Sequence, residues 1–351
     1  GSGTADAHAE LAALVRLLEI TQITRYFQGA DHELVQRAVD LALELGEDET
    51  HRRLAWYQWA AGATAARVDA CGPLAAAYRD RFRDDDRPFV RSSAHEVYGV
   101  WCWGAGRIGD AVRSLDLALE LLDGVTPPED TFGAEQYLVT FTFWLYNHLV
   151  HGSLSVDDGQ RLFQDLHDAI PDPVGRASVC GFAMTSFAPL LAWDVVEHFE
   201  GLALEADPRS QFAFWGGQLQ MHRGILAAWK GRADDGIELF ADGRARYTGI
   251  GGCSGMHSFE ACIALLLAQQ GRIADARIAA RAARSFVETR NERFAEPMVC
   301  LAEAAVLHGE GDPDRAVAKI REAREVAGRQ EAYAMGYRID QVAAELGLPA
   351  H

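Results

Sequence analysis

The chain repeats itself at a spacing of forty residues. Gly231-Arg232, Gly271-Arg272 and Gly311-Asp312 open the same local pattern at that interval, and self-similarity with a period of this size marks a solenoid. Each glycine carries small residues at fixed offsets: Gly224, Ala264 and Ala304 seven before it, Gly236, Ala276 and Ala316 five after it, Gly243, Ala283 and Ala323 twelve after it. Gly106 obeys the same rule through Gly99, Ala111 and Ala118. The positions five and twelve after the glycine are two helical turns apart and share one helix face. Small residues there let that helix lie close to its predecessor, and the glycine between them can end the first helix in a left-handed conformation. Each unit is therefore a helical hairpin. A lone hairpin cannot bury its apolar stripe, so successive hairpins must stack.

These offsets resemble those of the tetratricopeptide repeat, with a period longer than is usual for that family. The resemblance implies a right-handed α-solenoid. Apolar spacing extends it along the chain as an all-α fold of about eight helix pairs plus a closing helix over Glu331–Leu346, with no strand. Gly29 and Asp31 are read as the stop and N-cap between the first two helices, and Thr126–Asp130 as a sharp break. The fourth pair, Thr131–His151 and Ser155–Ile170, carries about two extra residues at its turn, so Gly159 and Phe163 fit only in a shifted register. Pro171 and Pro173 are read as ending that pair, and Glu292 as opening the eighth.

Composition narrows the partners. The formal charge of −18 opposes direct contact with a nucleic acid, which would be repelled before docking. No apolar run approaches the length of about 18 residues that suggests a membrane span, and the N-terminus lacks a signal-peptide pattern. The six cysteines form no C-x-x-C pair, and Cys102, Cys262 and Cys300 fall among apolar helix positions, as buried reduced thiols do. A cytoplasmic protein is expected. Gly1-Ser2-Gly3 reads as an expression scar, with residues 4–351 a single helical-repeat domain excised from a longer chain.

If the first helices line a concave surface, as the resemblance implies, the groove falls at offsets −13, −10, −6, −3 and −2 from each turn glycine. The Gly106 unit then presents Ser93, Glu96, Val100 and Trp103, and the Gly231 unit presents Gln218, Met221, Ile225, Ala228 and Trp229. In its shifted register the fourth unit presents Phe141, Trp144, His148 and His151. Aromatic side chains at a concave surface bury large area on binding. Trp103, Phe141, Trp144, His148, His151, Gln218, Met221, Trp229 and Glu96 are the candidate ligand or partner groove. Trp56, Trp59, Tyr98, Trp101, Phe143, Tyr146, Phe214 and Trp215 are assigned to the core instead.

No motif argues for catalysis or a cofactor. His148 and His151 share a helix face but lack a third metal ligand and an H-E-x-x-H context. The glycine-rich stretch Gly249–Gly255 lacks the lysine of a phosphate loop and is read as a connector. There is no G-x-S-x-G, and the nearness of Cys253 to His257 in sequence does not make a dyad.

A closer resemblance is to the C-terminal repeats of large bacterial signal-transducing ATPase regulators, the group of LuxR-type large ATP-binding regulators, antibiotic regulatory proteins and adenylate-cyclase-linked relatives. It is carried by Ala94-His95-Glu96-Val97-Tyr98-Gly99 running into Gly106 and Ala111, and by Ile225–Arg232 leading to Gly236-Ile237. Tyr247-Thr248-Gly249, Leu265–Arg272 and Thr289-Arg290-Asn291-Glu292-Arg293-Phe294 complete it. The likeness is strongest after Phe212 and departs at Ala295–Val299. It implies a sensor arm of a transcription regulator that takes a small-molecule inducer or a protein partner, with the ATPase and DNA-binding domains elsewhere in a full-length chain. A scaffold that binds a peptide or protein, and an enzyme on a repeat fold, are the rival expectations.

Overall fold

The computed structural model describes residues 2–27, 32–125 and 131–348. The expectations at Gly29, Asp31 and Thr126–Asp130 lie outside them. All regular structure among the described residues is helical. The pairs are α1 (Ser2–Arg25) with α2 (His32–Glu44), α3 (Asp48–Thr64) with α4 (Val68–Phe82), α5 (Pro88–Gly104) with α6 (Ile108–Glu120), and α7 (Thr131–His151) with α8 (Val156–Ala169). There follow α9 (Pro173–Phe187) with α10 (Trp193–Ala206), α11 (Ala213–Trp229) with α12 (Ala233–Gly249), α13 (Met256–Gln269) with α14 (Ile273–Arg290), and α15 (Glu296–Gly309) with α16 (Pro313–Gln330). A single helix, α17 (Tyr333–Glu345), closes the stack. This is an α-solenoid of helical hairpins.

The turn glycines do what the repeat demands. Gly106, Gly231, Gly271 and Gly311 have φ of +72°, +80°, +74° and +81°, and each turn closes with the same two bonds. In the Gly231 turn the glycine N–H donates to Ala228 O and the next N–H, of Arg232, to Ala227 O. That pair is the Schellman end of a helix. The same two bonds recur at Ala66 and Leu191, with φ of +53° and +56°. Ala66 lies forty residues before Gly106 and Leu191 forty before Gly231, so the period runs through turns that carry no glycine. A left-handed alanine costs about 1–2 kcal/mol against its ordinary conformation. Ala66→Gly is expected to leave stability within about 0.5 kcal/mol of the parent, because relief of the left-handed strain is offset by glycine's unfolded-state entropy and by loss of a methyl group only 1% exposed; a fall in the urea midpoint worth more than about 1 kcal/mol would contradict this.

The four glycine hairpins are also the four most extensively packed pairs, as small residues at the crossing positions require. Three local expectations need correction. Pro173 does not end α8: it is the first residue of α9, with the Asp172 carboxylate accepting the Gly175 N–H as N-cap. Glu292 is not helical, since α15 begins at Glu296 and Glu292-Arg293-Phe294 is a connecting segment. In the fourth hairpin the two extra residues follow the turn glycine, Gly152 (φ +87°). They shift the register of α8 only, and α7 keeps the standard register counted from Gly152.

From α3 onward first helices pack on first helices along the stack, and every second helix except α12 packs on the first helix of the next pair; α12 reaches α13 through the Arg244–Glu260 ion pair. The winding then meets itself. The N–H groups of Cys253 and Ser254 donate to Thr64 O at 3.3 and 3.2 Å, and that of Arg293 to Gly104 O at 2.8 Å. Asn291 Nδ2 reaches Asp69 (2.8 Å), and Gln330 Nε2 donates to Arg293 O (2.9 Å). Thus the turns of the second and third hairpins are clasped by the connections before α13 and α15, while α17 packs on α7. The concave side is consequently an interior and not an open groove.

Candidate functional site

Aromatic side chains from the first helices of hairpins two to six, with the segment after α1 and the start of α13, converge on one cavity. It encloses about 90 Å³ within a wider unfilled space, mouth included, of about 810 Å³. Tyr26 and Phe27 follow α1, Trp56, Trp59, Ala60, Ala63 and Thr64 come from α3, and Val100 and Trp103 from α5. Val139, Phe143 and Tyr146 on α7, Phe182 and Thr185 on α9, and Phe214, Trp215 and Gln218 on α11 continue the wall, which Ser254, Gly255 and Phe259 complete. Counted from the structural turns at Ala66, Gly106, Gly152 and Leu191, Trp56, Ala60, Ala63, Val100, Trp103, Val139, Tyr146 and Thr185 all fall on the expected inward offsets. No side chain with a formal charge lines the space.

Of the expected groove residues, Trp103 and Gln218 are in this wall. Glu96 is fully buried behind it, accepting the Trp56 indole N–H at 3.2 Å. Met221 is fully buried and Trp229 half-buried, both away from the cavity lining. The register correction in α7 turns Trp144 and His148 toward α6, with the Phe141 ring stacked on that of Trp144 at 5.8 Å. There Asp116 Oδ1 accepts from the Trp144 indole (2.8 Å) and meets His148 Nε2 (2.9 Å), while His148 Nδ1 meets Ser153 Oγ (2.7 Å). This chain of bonds fastens the end of α7 to α6. His151 faces another way, its ring against Tyr333 at 5.4 Å. Among the described residues no three histidine, cysteine or acidic side chains converge as metal ligands.

Six aromatics assigned to the core from sequence, namely Trp56, Trp59, Phe143, Tyr146, Phe214 and Trp215, are cavity walls. The forty-residue period, carried back from Gly106 to Ala66, was the signal that would have placed Trp56. Trp103 stacks on Phe294 with ring centroids 4.0 Å apart, and Tyr146 meets the same ring edge-on. Three wall residues hold buried polar atoms without a partner: the indole nitrogens of Trp59 and Trp103 and the hydroxyl of Tyr146. Burial pushes the Tyr146 phenol well above its usual pKa, so it remains a neutral donor.

The connection before α13 joins this wall to the clasp. Gln218 Nε2 donates to Tyr247 Oη (3.2 Å), whose proton goes to Ser254 O (3.0 Å). Glu292, buried in the next connection, accepts from Ser254 Oγ (2.8 Å), Gly255 N (2.9 Å) and His257 Nδ1 (3.1 Å). Because His257 Nε2 accepts the Ala295 N–H at 3.2 Å, its proton is on Nδ1. Both ring nitrogens are thereby occupied, so His257 does not pair with Cys253, whose half-buried thiol is raised by burial. The glycine-rich stretch is a connector, and also part of the wall.

One turn beyond Gln218, His222 is fully buried against Phe259 (5.0 Å), and neither ring nitrogen has a partner. Burial lowers its pKa from an ordinary 6.5 to about 3. The folded state keeps the ring neutral while the unfolded chain takes up a proton below pH 6.5, so stability complete above 6.5 is lost as pH falls toward 3. Between pH 7 and 5 about 2 kcal/mol of this loss is expected. Urea unfolding of His222→Leu at the two pH values should show that much less acid sensitivity than the parent; equal slopes would refute the assignment.

No protein-family model matches the chain, and no curated protein is similar to it at a significant level. No helix among the described residues is long and apolar enough to cross a membrane.

Proposed function

We propose that this chain is a small-molecule-sensing helical-repeat domain and, following the resemblance of its repeats, the sensor arm of a bacterial transcription regulator. The observation that carries the reading is the aromatic cavity enclosed where seven successive hairpins meet. Concave, mostly apolar sites with a few convergent polar groups are the usual form of small-molecule sites. An interior fastened by clasps favours a molecule that can be surrounded over a peptide that must lie along a groove. The rival scaffold reading therefore has less support. The wall is tied through Ser254 and Glu292 to the connections that hold the winding closed, so occupancy that moved the wall would bias the winding between two curvatures.

Thermal shift against fractionated cell extract tests this. A small-molecule fraction is expected to raise the melting temperature, since a ligand bound only to the native state must do so. The effect should vanish in Ala63→Phe, which fills the cavity from α3. Stabilisation by a macromolecular fraction alone would overturn the cavity and favour a protein partner.

A further inference from the structure

Given that the cavity is a ligand site, on which the following rests, we infer that its ligand is a neutral, flat aromatic molecule with a phenol-like polar edge. Three observations converge on that class. The first is charge. The lining carries no acidic or basic side chain, and the carboxylates behind it, Glu96 and Glu292, already accept from Trp56, Ser254, Gly255 and His257, so an ion brought into the space would lose its hydration with no counter-charge in the wall.

The second is the form of the walls. Trp56, Trp59, Trp103, Phe143, Phe182 and Trp215 present ring faces and edges around the space, and rings pack best against another ring, offset or edge-on. A dry cavity of about 150 Å³ is known to take benzene. The 90 Å³ here is smaller than that, so a single ring would also occupy part of the wider space around it, which is about 810 Å³ with the mouth included.

The third is the pattern of unspent hydrogen bonds. Tyr247 has one proton and gives it to Ser254 O, so its hydroxyl can only accept from Gln218. That fixes the amide: Nε2 points to Tyr247, and Oε1 is left in the wall as an acceptor with no donor among the described residues. A ligand O–H or N–H would fill that place. Elsewhere among the wall residues, the indole N–H groups of Trp59 and Trp103 and the Tyr146 hydroxyl are buried donors with no acceptor. The Trp103 indole lies near the Tyr146 oxygen without reaching bonding geometry. An indole N–H can only donate, which argues against a quaternary ammonium in an aromatic cage, because such a cation offers no acceptor. A phenolic hydroxyl supplies both functions from one atom, giving its proton to Gln218 and accepting from an indole.

Four single-ring probes separate the alternatives: p-cresol, toluene, benzoate and choline, titrated at pH 7 by tryptophan fluorescence and thermal shift. p-Cresol is expected to bind about tenfold more tightly than toluene, with no saturable binding of benzoate or choline. In Gln218→Met, which keeps the length of the side chain, p-cresol should fall to the affinity of toluene while toluene is unchanged. Equal binding of toluene and p-cresol to the parent, or preference for choline or benzoate, would overturn the ligand class and leave the cavity as a ligand site. Failure of all four probes would remove the cavity reading itself.

Discussion

Glu292→Ala is expected to destabilise the fold by about 4 kcal/mol. The carboxylate is 2% exposed and accepts from a hydroxyl, a backbone N–H and an imidazole N–H, at 2.8, 2.9 and 3.1 Å. Alanine would leave three donors without an acceptor, two of them on fully buried residues, at about 1–3 kcal/mol each before relaxation or water offsets part of the cost. Glu292→Gln retains one acceptor oxygen and should lose about half as much. Urea unfolding with a two-state fit measures both. A loss below about 1 kcal/mol for the alanine variant would mean that the connection before α13 does not depend on this carboxylate. The neighbouring residues add a second readout: Phe294 stacks on Trp103, so displacement of the segment should alter tryptophan fluorescence in the native state.

The next largest effect is expected at Gly224. A Cβ there would stand 2.6 Å from Phe240 N and 2.7 Å from Gly236 O, both backbone atoms, so α11 and α12 would have to part. Overpacking of this kind costs about 1–3 kcal/mol and sometimes more, against roughly 1 kcal/mol gained in helix propensity. The expected net loss is about 2 kcal/mol. The equivalent position holds Ala264 in α13 and Ala304 in α15, where the second helices carry alanine and not glycine at the facing offset. Ala264→Gly should therefore also destabilise, by about 1 kcal/mol, through propensity and a lost buried methyl group. Opposite substitutions at equivalent positions thus share one sign. A stabilised Gly224→Ala would show that the close approach of the two helices is not the reason for the glycine.

Much of the architecture was legible because the repeat writes its own packing geometry. The offsets −7, +5 and +12 from a turn glycine identify where two helices cross, and the four hairpins that show them are the most closely packed. Where the turn carries Ala66 or Leu191 the same backbone forms without its signature residue, because surrounding packing sustains a left-handed conformation that local preference disfavours. Those two turns concealed the inward placement of Trp56 and Thr185. In α7 the two extra residues follow the turn instead of preceding it, so Phe141, Trp144 and His148 lie off the cavity, and Trp144 and His148 bond Asp116 instead. Gln218 and Trp103 stand in the cavity wall at their expected inward offsets because their hairpins are regular. The work of Glu292 and Phe294 was illegible, since their partners belong to other connections and to an earlier turn of the winding.

The clasps change what kind of polymer this is. An open array of repeats is governed by nearest neighbours, so that its ends fray and its length can vary with little consequence for the middle. Here Thr64 and Gly104 receive bonds from residues in the connections before α13 and α15. The inner face of the second and third hairpins must then wait, as the chain emerges from the ribosome, until most of the sequence has been made. During that interval Trp56, Trp59 and Trp103 lack their final neighbours, and nascent chains of intermediate length expose the apolar surface that chaperones recognise. The cost of ordering so long a loop is met late, and the finished molecule behaves in return as one cooperative unit with a shared interior.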